Sequence, residues 1–438
     1  MATAVTKFAT ARLLREPPAL MGQAIPRVVV LGAGFGGLTF CQAFRHPRAV
    51  VYLVDRQNHH LFQPLLYQVA TAGLSAPEIA QPIRAMFHDR PDVHVHLANV
   101  EDIRPAAREI VVDGRTHSYD YLVFALGGRT SYFGHPEWEA FAPGLKSLDD
   151  AQRIRRELLC AFEHAENTSD EAERRRLMTI VVVGGGPTGV ELAGACSELA
   201  RHVLRRDFKR IDPAQAKVVL IEGSPRLLGP FPEELAQNAR EALEAMGVEV
   251  RCDTRVKNIT KGRVELMDGS VIEAENILWA AGVAASPLTA KLGVPLDRAG
   301  RVLVGPDLSI PGHPEVFVIG DAAYLLDKDG QVVPGVSPAA MQGAKHVARI
   351  IESELEGAPE RPPFDYWDKG SMATIGRSAA VAKLGPLQMT GFFAWTAWLF
   401  VHLLFLVGFR NKVAVLWQWF YSYVTYRRGA RIITGLKW

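Results

Sequence analysis

At 438 residues the chain can hold two or three domains with cores of their own, and its net charge of +2 gives no reason to expect a nucleic-acid partner. Its four cysteines, at 41, 160, 196 and 252, form no C-x-x-C pair and no metal-ligand spacing, which argues against a thiol relay or a metal centre and fits a reducing compartment. Residues 1–26 carry Lys7, Arg12 and Arg15 but no apolar run of secretory-signal length, and read as an N-terminal extension.

The first predicted element is a buried parallel strand over 28–31, followed at once by GAGFGG, in which Gly32, Gly34 and Gly37 take the G-x-G-x-x-G spacing as a helix begins. The first glycine allows a sharp exit from the strand, the second lets backbone approach a pyrophosphate, and the third lets the helix pack close to the sheet. The N–H groups at the start of that helix then face the anion. A second strand, 50–54, ends in Asp55, 18 residues past Gly37, where a carboxylate can accept the hydroxyls of an adenosine ribose.

Residues 59–74, HHLFQPLLYQVATAGL, are too apolar and aromatic for a solvent loop and are expected to pack on a ligand or a second domain. Short alternating strands between 93 and 118 read as a β-meander attached to the first sheet, and 121–128 as a buried strand ending in a glycine turn at Gly127. From about Ser147 a charged helix leads to a second strand-turn-helix, TIVVVGGGPTGVELAGAC, in which Gly184, Gly186 and Gly189 repeat the spacing. Two such motifs predict two dinucleotides. The strand 218–221 ends at Glu222, 33 residues past Gly189, with a polar insertion around 205–215 accounting for the long offset. An acidic residue there accepts from a ribose 2′-hydroxyl and repels a 2′-phosphate, so NADH is favoured over NADPH. A helix over 233–246, a strand over 248–252 and a hairpin at Asp268-Gly269 complete this half, and ILWAAGV, ending in the turn at Gly282, mirrors the earlier exit strand. VFVIGD then sets Gly320 and Asp321 at a strand end, ahead of a helix over 338–354.

The last acidic residue is Asp368, and from 372 onward eight cations stand without a carboxylate side chain. The 26 residues between Lys383 and Arg410 carry no charge, a transmembrane candidate by length and hydropathy, and five of the eight tryptophans lie from Trp395 to Trp438 near Arg427 and Arg428. Such a basic, aromatic tail points to an anionic lipid surface.

Together these motifs resemble the two-dinucleotide flavoproteins, and more closely the type II NADH:quinone oxidoreductases: GAGFGG with Asp55, ALGG, GGGPTGVELAG with Glu222, AAG, IGDAA, AAMQGAKHVA and the tail. The fold implied is α/β, two Rossmann-like dinucleotide-binding domains, for FAD and NADH, plus a C-terminal helical membrane-anchoring region. The expected boundaries are 27–146 and 286–365 for FAD, 147–285 for NADH and 366–438 for the anchor. The resemblance implies that Asp55 binds the FAD ribose, Asp321 the ribityl chain and Glu222 the NADH ribose. Glu191, read in the first turn of its helix, matches a glutamate near nicotinamide and flavin, and Gln342 a glutamine facing the quinone. Either has a plainer reading, as a helix-dipole partner and a satisfied core amide. Many members carry a second glutamine where this chain has Pro338, so the quinone contact is expected to differ in detail. No metal is implied, and no histidine is read as a ligand.

The expected reaction is hydride transfer from NADH to non-covalent FAD and then electrons to a membrane quinone, in the respiratory chain, without proton pumping. His402 is the only ionisable group in the charge-free stretch. The family anchors by amphipathic helices in one leaflet, which implies a monotopic homodimer on the cytoplasmic face of the inner membrane, or the matrix face in a mitochondrion, with a single span as the alternative. Two other functions stay open: a sulfide:quinone oxidoreductase, disfavoured by the lack of cysteines after Cys252, and a slow flavoprotein of the apoptosis-inducing-factor type with a binding role.

Overall fold

The computed structural model describes residues 25–425 and 429–435. All but the last two residues of the N-terminal extension, and Arg427, Arg428 and Lys437 of the tail, lie outside these. The chain forms two compact units, one of residues 1–60, 82–128 and 284–367 and one of residues 61–81, 129–283 and 368–438.

In the first unit β1 (Arg27–Leu31) runs into α1 (Phe35–Ala43) through the glycine turn, and β2 (Val50–Asp55), β3 (Val93–Leu97) and β4 (Tyr121–Phe124) follow. β1 lies between β2 and β4, all parallel, with Val30 opposite Leu53 and Val123. Valine and leucine at successive positions suit strands covered on both faces, and Val28 to Leu31 are fully buried. The expected meander differs: β3 joins the parallel sheet, whereas Val100–Arg104, Glu109–Val112 and Arg115–Ser118 form an antiparallel sheet of their own.

The second unit opens its nucleotide half with α2 (Leu148–Asn167), where the Ser147 hydroxyl accepts from Asp150 N–H at 3.1 Å while the Asp150 carboxylate accepts from Ser147 N–H at 2.8 Å. That reciprocal cap satisfies two of the donors a helix start leaves open. β5 (Thr179–Val183), α3 (Pro187–Glu198), β6 (Lys217–Ile221), α4 (Glu233–Ala245), β7 (Val248–Arg251) and β8 (Asn276–Trp279) make a parallel sheet in the order β7-β6-β5-β8. The polar insertion begins where α3 gives way to a π-turn, Leu199–Val203. Its loop is held by the Glu166 carboxylate, which accepts from the N–H groups of Lys209, Arg210 and Ile211.

The chain then returns to the first unit, where β9 (His313–Val318) pairs parallel with β4 and α5 (Ser337–Leu355) packs along α1. The first sheet is complete with a short antiparallel edge, Ser309–Ile310, beside β9.

Residues beyond 367 belong to the second unit. β10 (Ser371–Ile375), β11 (Ala379–Leu384) and β12 (Leu387–Thr390) form an antiparallel sheet that leads into α6 (Gly391–Phe405) and α7 (Phe409–Thr425). The single-span alternative is thereby overturned. The charge-free stretch divides among β12, a 15-residue helix and a break at Leu406 to Gly408, and no described helix is long and apolar enough to cross a membrane. At 1.5 Å per residue, α6 spans about 22 Å, short of the ~30 Å of hydrocarbon.

Candidate functional site

Each unit carries the same cradle. A Cβ on Gly37 would stand 1.8 Å from the Gly32 carbonyl oxygen, and one on Gly189 would stand 1.7 Å from that of Gly184, so each helix meets its turn at a distance only glycine permits. Gly32 and Gly184 sit at φ +94° and +112°, the left-handed region, whereas Gly34 and Gly186 have nothing within 4 Å of a Cβ and so leave room for a ligand. These are the three duties that a pyrophosphate turn requires.

The acidic residues repeat the parallel. Asp55 accepts from the Ala33 N–H at 2.6 Å and the Gln57 N–H at 2.7 Å; Glu222 accepts from Gly185 N–H at 2.6 Å and Ser224 N–H at 2.7 Å. Each carboxylate thus clamps the middle of its own glycine turn. Each oxygen takes one such bond and keeps a second lone-pair direction. In the first unit His60, missed by sequence reasoning, supports the same turn, its Nδ1–H donating to the Ala33 carbonyl at 2.9 Å. Burial pushes the His60 pKa down, so the ring is neutral at neutral pH.

Gly127 closes the exit from β4, its carbonyl accepting from Ser286 N–H at 3.2 Å. Gly320 packs on Ala340 of α5, and the Asp321 carboxylate faces Gly335 in the loop entering that helix, within the same unit as Asp55. Gly282, at φ +71°, likewise closes the exit from β8 in the second unit. Gln342, on α5, makes a reciprocal pair with Trp367: its Nε2 donates to the Trp367 carbonyl at 2.9 Å and its Oε1 accepts from the Trp367 N–H at 3.0 Å. The amide is thus engaged by the chain segment that leaves α5.

Glu191 is not in the first turn of α3. Pro187 opens that helix, and the carboxyl sits in the second turn, where Thr374 N–H approaches it at 3.4 Å. Dipole complementation, a first-turn effect, is thereby excluded as its main role. Burial pushes its pKa up to about 8, with smaller opposing pulls from Thr374 N–H and the Trp398 indole. Neither partner was legible in sequence, since each lies more than 180 residues away.

The sign of the linkage follows. An unfolded glutamate loses its proton near 4.5 and the folded one near 8, so between those values stability falls as pH rises. Glu191→Gln, neutral throughout, is expected to gain in Tm over the parent chain as pH goes from about 5 to about 8, with no such widening below about pH 4. A Tm difference that stays flat across the upper range shows the carboxyl to be ionised.

None of the four cysteines is in a disulfide, and burial pushes the thiols of Cys41, Cys160 and Cys252 up, which makes each a poorer nucleophile. Among the described residues no cluster of histidine, cysteine or carboxylate side chains could hold a metal.

The pyridine nucleotide-disulphide oxidoreductase family model matches residues 26–344, and the NDH2 C-terminal domain model matches 368–428. The chain is 46% identical over 422 residues to the type II NADH:quinone oxidoreductase Ndh of Mycobacterium tuberculosis, covering 93% of this chain and 90% of that one. It is 30% identical to an internal alternative NAD(P)H-ubiquinone oxidoreductase of Arabidopsis thaliana, covering 93% and 86%. A solved structure of NDH2 from Plasmodium falciparum in complex with NADH superimposes with a TM-score of 0.85 at 19% identity, covering 94% of this chain and all of that one, which shows a shared fold.

Proposed function

The chain belongs to the pyridine nucleotide-disulphide oxidoreductase family and, within it, to the type II NADH:quinone oxidoreductases, and from that premise we propose how its residues divide the reaction. FAD supplies the two-electron chemistry that links NADH to the quinone. The cradle of Gly32, Gly34, Gly37 and Asp55 holds FAD, with Gly127, Gly320 and Asp321 along its length; that of Gly184, Gly186, Gly189 and Glu222 holds NADH, with Gly282 at its far end. In these terms the functional division is 27–146 with 286–365 for FAD, 147–285 for NADH and 366–438 for the membrane. The observation that carries the reading is the duplicated clamp, in which an acidic strand end and a glycine turn meet with the same two hydrogen bonds in each unit.

The protein's own task is to bind, orient and move protons. The first residues of α1, and Thr188 and Gly189 behind Pro187 in α3, offer N–H groups to pyrophosphates. Glu191, neutral near pH 7, is a carboxyl able to hold and give up a proton on the NADH side. Gln342 fixes the Trp367 backbone beside α5 on the acceptor side. The raised thiols of Cys41, Cys160 and Cys252 give no support to a sulfide reaction, and neither alternative function is favoured by the relatives.

Glu222 sets the nucleotide preference. Glu222→Ala is expected to narrow the ratio of NADH to NADPH in kcat/KM by about tenfold or more, chiefly through better use of NADPH, whose 2′-phosphate no longer meets a carboxylate. Steady-state rates with a short-chain quinone and both nucleotides test this. Unchanged discrimination means that the ribose contact lies elsewhere.

Peripheral attachment through α6 and α7, on the face where NADH is available, completes the reading. It is supported by large apolar side chains left in solvent on both helices, while Ala394 and Trp398 of α6 are buried. A homodimer, implied by the resemblance, is part of the same proposal and is tested by light scattering in detergent.

A further inference from the structure

Two aromatic neighbours at the edge of the NADH-binding sheet both lie against Trp279, Phe133 at 6.2 Å between ring centroids, but differ in exposure. Tyr132 is buried, its hydroxyl donates to the Ala142 carbonyl at 2.9 Å, and its ring lies 5.3 Å from that of Trp279. Phe133 is 67% exposed and sits at φ +50°, the left-handed region that a bulky side chain avoids. Such a conformation persists only where its surroundings impose it.

They do so here. The Trp279 indole N–H donates to the Ser131 carbonyl at 2.9 Å, and Ser131 N–H donates to the Gly282 carbonyl at 3.3 Å, which ties the loop to the end of β8. The tip of the Phe133 ring lies over Gly282, where a Cβ would come within 2.7 Å of its Cζ. Gly127, the matching exit glycine of the first unit, has nothing within 4 Å of a Cβ. A strained backbone thus holds an apolar ring in water above one glycine of one cradle, an arrangement that gives folding little return.

Sheet order gives the ring its place along the ligand. In β7-β6-β5-β8, Glu222 follows β6 on one side of the Gly184 turn and Gly282 follows β8 on the other. A dinucleotide in such a crevice crosses the carboxyl ends of the strands with its pyrophosphate at the turn and its adenosine ribose at the acidic residue. The other half extends over β8.

We propose that Phe133 is a binding residue for the nicotinamide half of NADH, its phenyl forming the apolar wall against which the nicotinamide riboside packs. The proposal rests on the assignment of the second cradle to NADH. Aromatic packing on a planar ring favours offset or edge contacts, and a preset loop makes them without ordering a flexible one.

The test is calorimetric titration of the FAD-loaded enzyme with NAD+ and with ADP-ribose, which keeps the adenosine and pyrophosphate but lacks nicotinamide. Phe133→Ala is expected to weaken NAD+ about tenfold and to leave ADP-ribose within about twofold, with Phe133→Tyr close to the parent for both. Equal weakening of both ligands, or no loss for NAD+, overturns the proposal. If the parent enzyme itself fails to bind ADP-ribose, the cradle assignment fails instead. The tyrosine variant separates loss of the ring from damage to the loop.

Discussion

Gly189→Ala is expected to raise the KM for NADH at least about a hundredfold while the purified protein keeps its yellow colour, and Gly37→Ala to yield protein with little or no flavin. The added methyl carbon would lie 1.7 Å or 1.8 Å from a carbonyl oxygen of the turn beneath, backbone that has no flexible end to swing aside. To reach ordinary contact the helix must back away by more than 1 Å, carrying with it the N–H groups that meet the pyrophosphate. Loss of about 3 kcal/mol of anion binding corresponds to roughly two decades in affinity. Helix propensity acts the other way, since alanine in place of a helical glycine stabilises by ~1 kcal/mol. A loss of ligand therefore reports the close approach and not a weakened helix. The measurements are the visible flavin spectrum and the KM for NADH in each variant. A yellow Gly37→Ala protein, or an ordinary KM in Gly189→Ala, would mean that the cradles hold something else.

Replacing Phe393, Phe409 and Trp417 together by Asp is expected to abolish binding to lipid vesicles and leave turnover with a water-soluble short-chain quinone near its original rate. These side chains are 79%, 82% and 65% exposed, so the fold does not depend on burying them. In a bilayer interface each contributes ~2 kcal/mol of apolar burial, and three together ~6 kcal/mol, about four decades of partitioning. The inner face of α7 is fastened. Trp419 Nε1–H donates to Gln68 Oε1 at 2.8 Å, and Asn411 donates its amide to the Ala80 carbonyl at 3.4 Å. Co-sedimentation with anionic vesicles reads the effect. Undiminished sedimentation of the triple variant would remove α6 and α7 from the membrane contact, whatever becomes of the long-chain quinone activity.

Both cradles could be read directly, with strand ends within a residue or two, because valine runs buried on both faces leave few other conformations open. The tail could be read only in part. Its composition identified an apolar, cationic end, but the hairpin strand Leu387–Thr390 and the turn at Gly408 divide what hydropathy joins, since a window average cannot register where the backbone turns. Glu191 was picked out by its motif, and its position in the helix was off by a turn because Pro187 is itself the first helical residue. Phe133 was passed over altogether, for nothing in TSYFG shows which of its two aromatic rings points inward.

What the sequence determined alone is the pair of nucleotide turns, because three glycines and a strand-end carboxylate are related through a few bonds and one sheet register. What only the tertiary structure decided is the state of individual side chains: a carboxyl on α3 made weakly acidic by burial, against the smaller pulls of residues 374 and 398, and a phenyl held out over Gly282 by an indole 146 positions away. Desolvation and steric confinement depend on which distant segments come to rest against a group, and that is fixed by the packing of the whole unit.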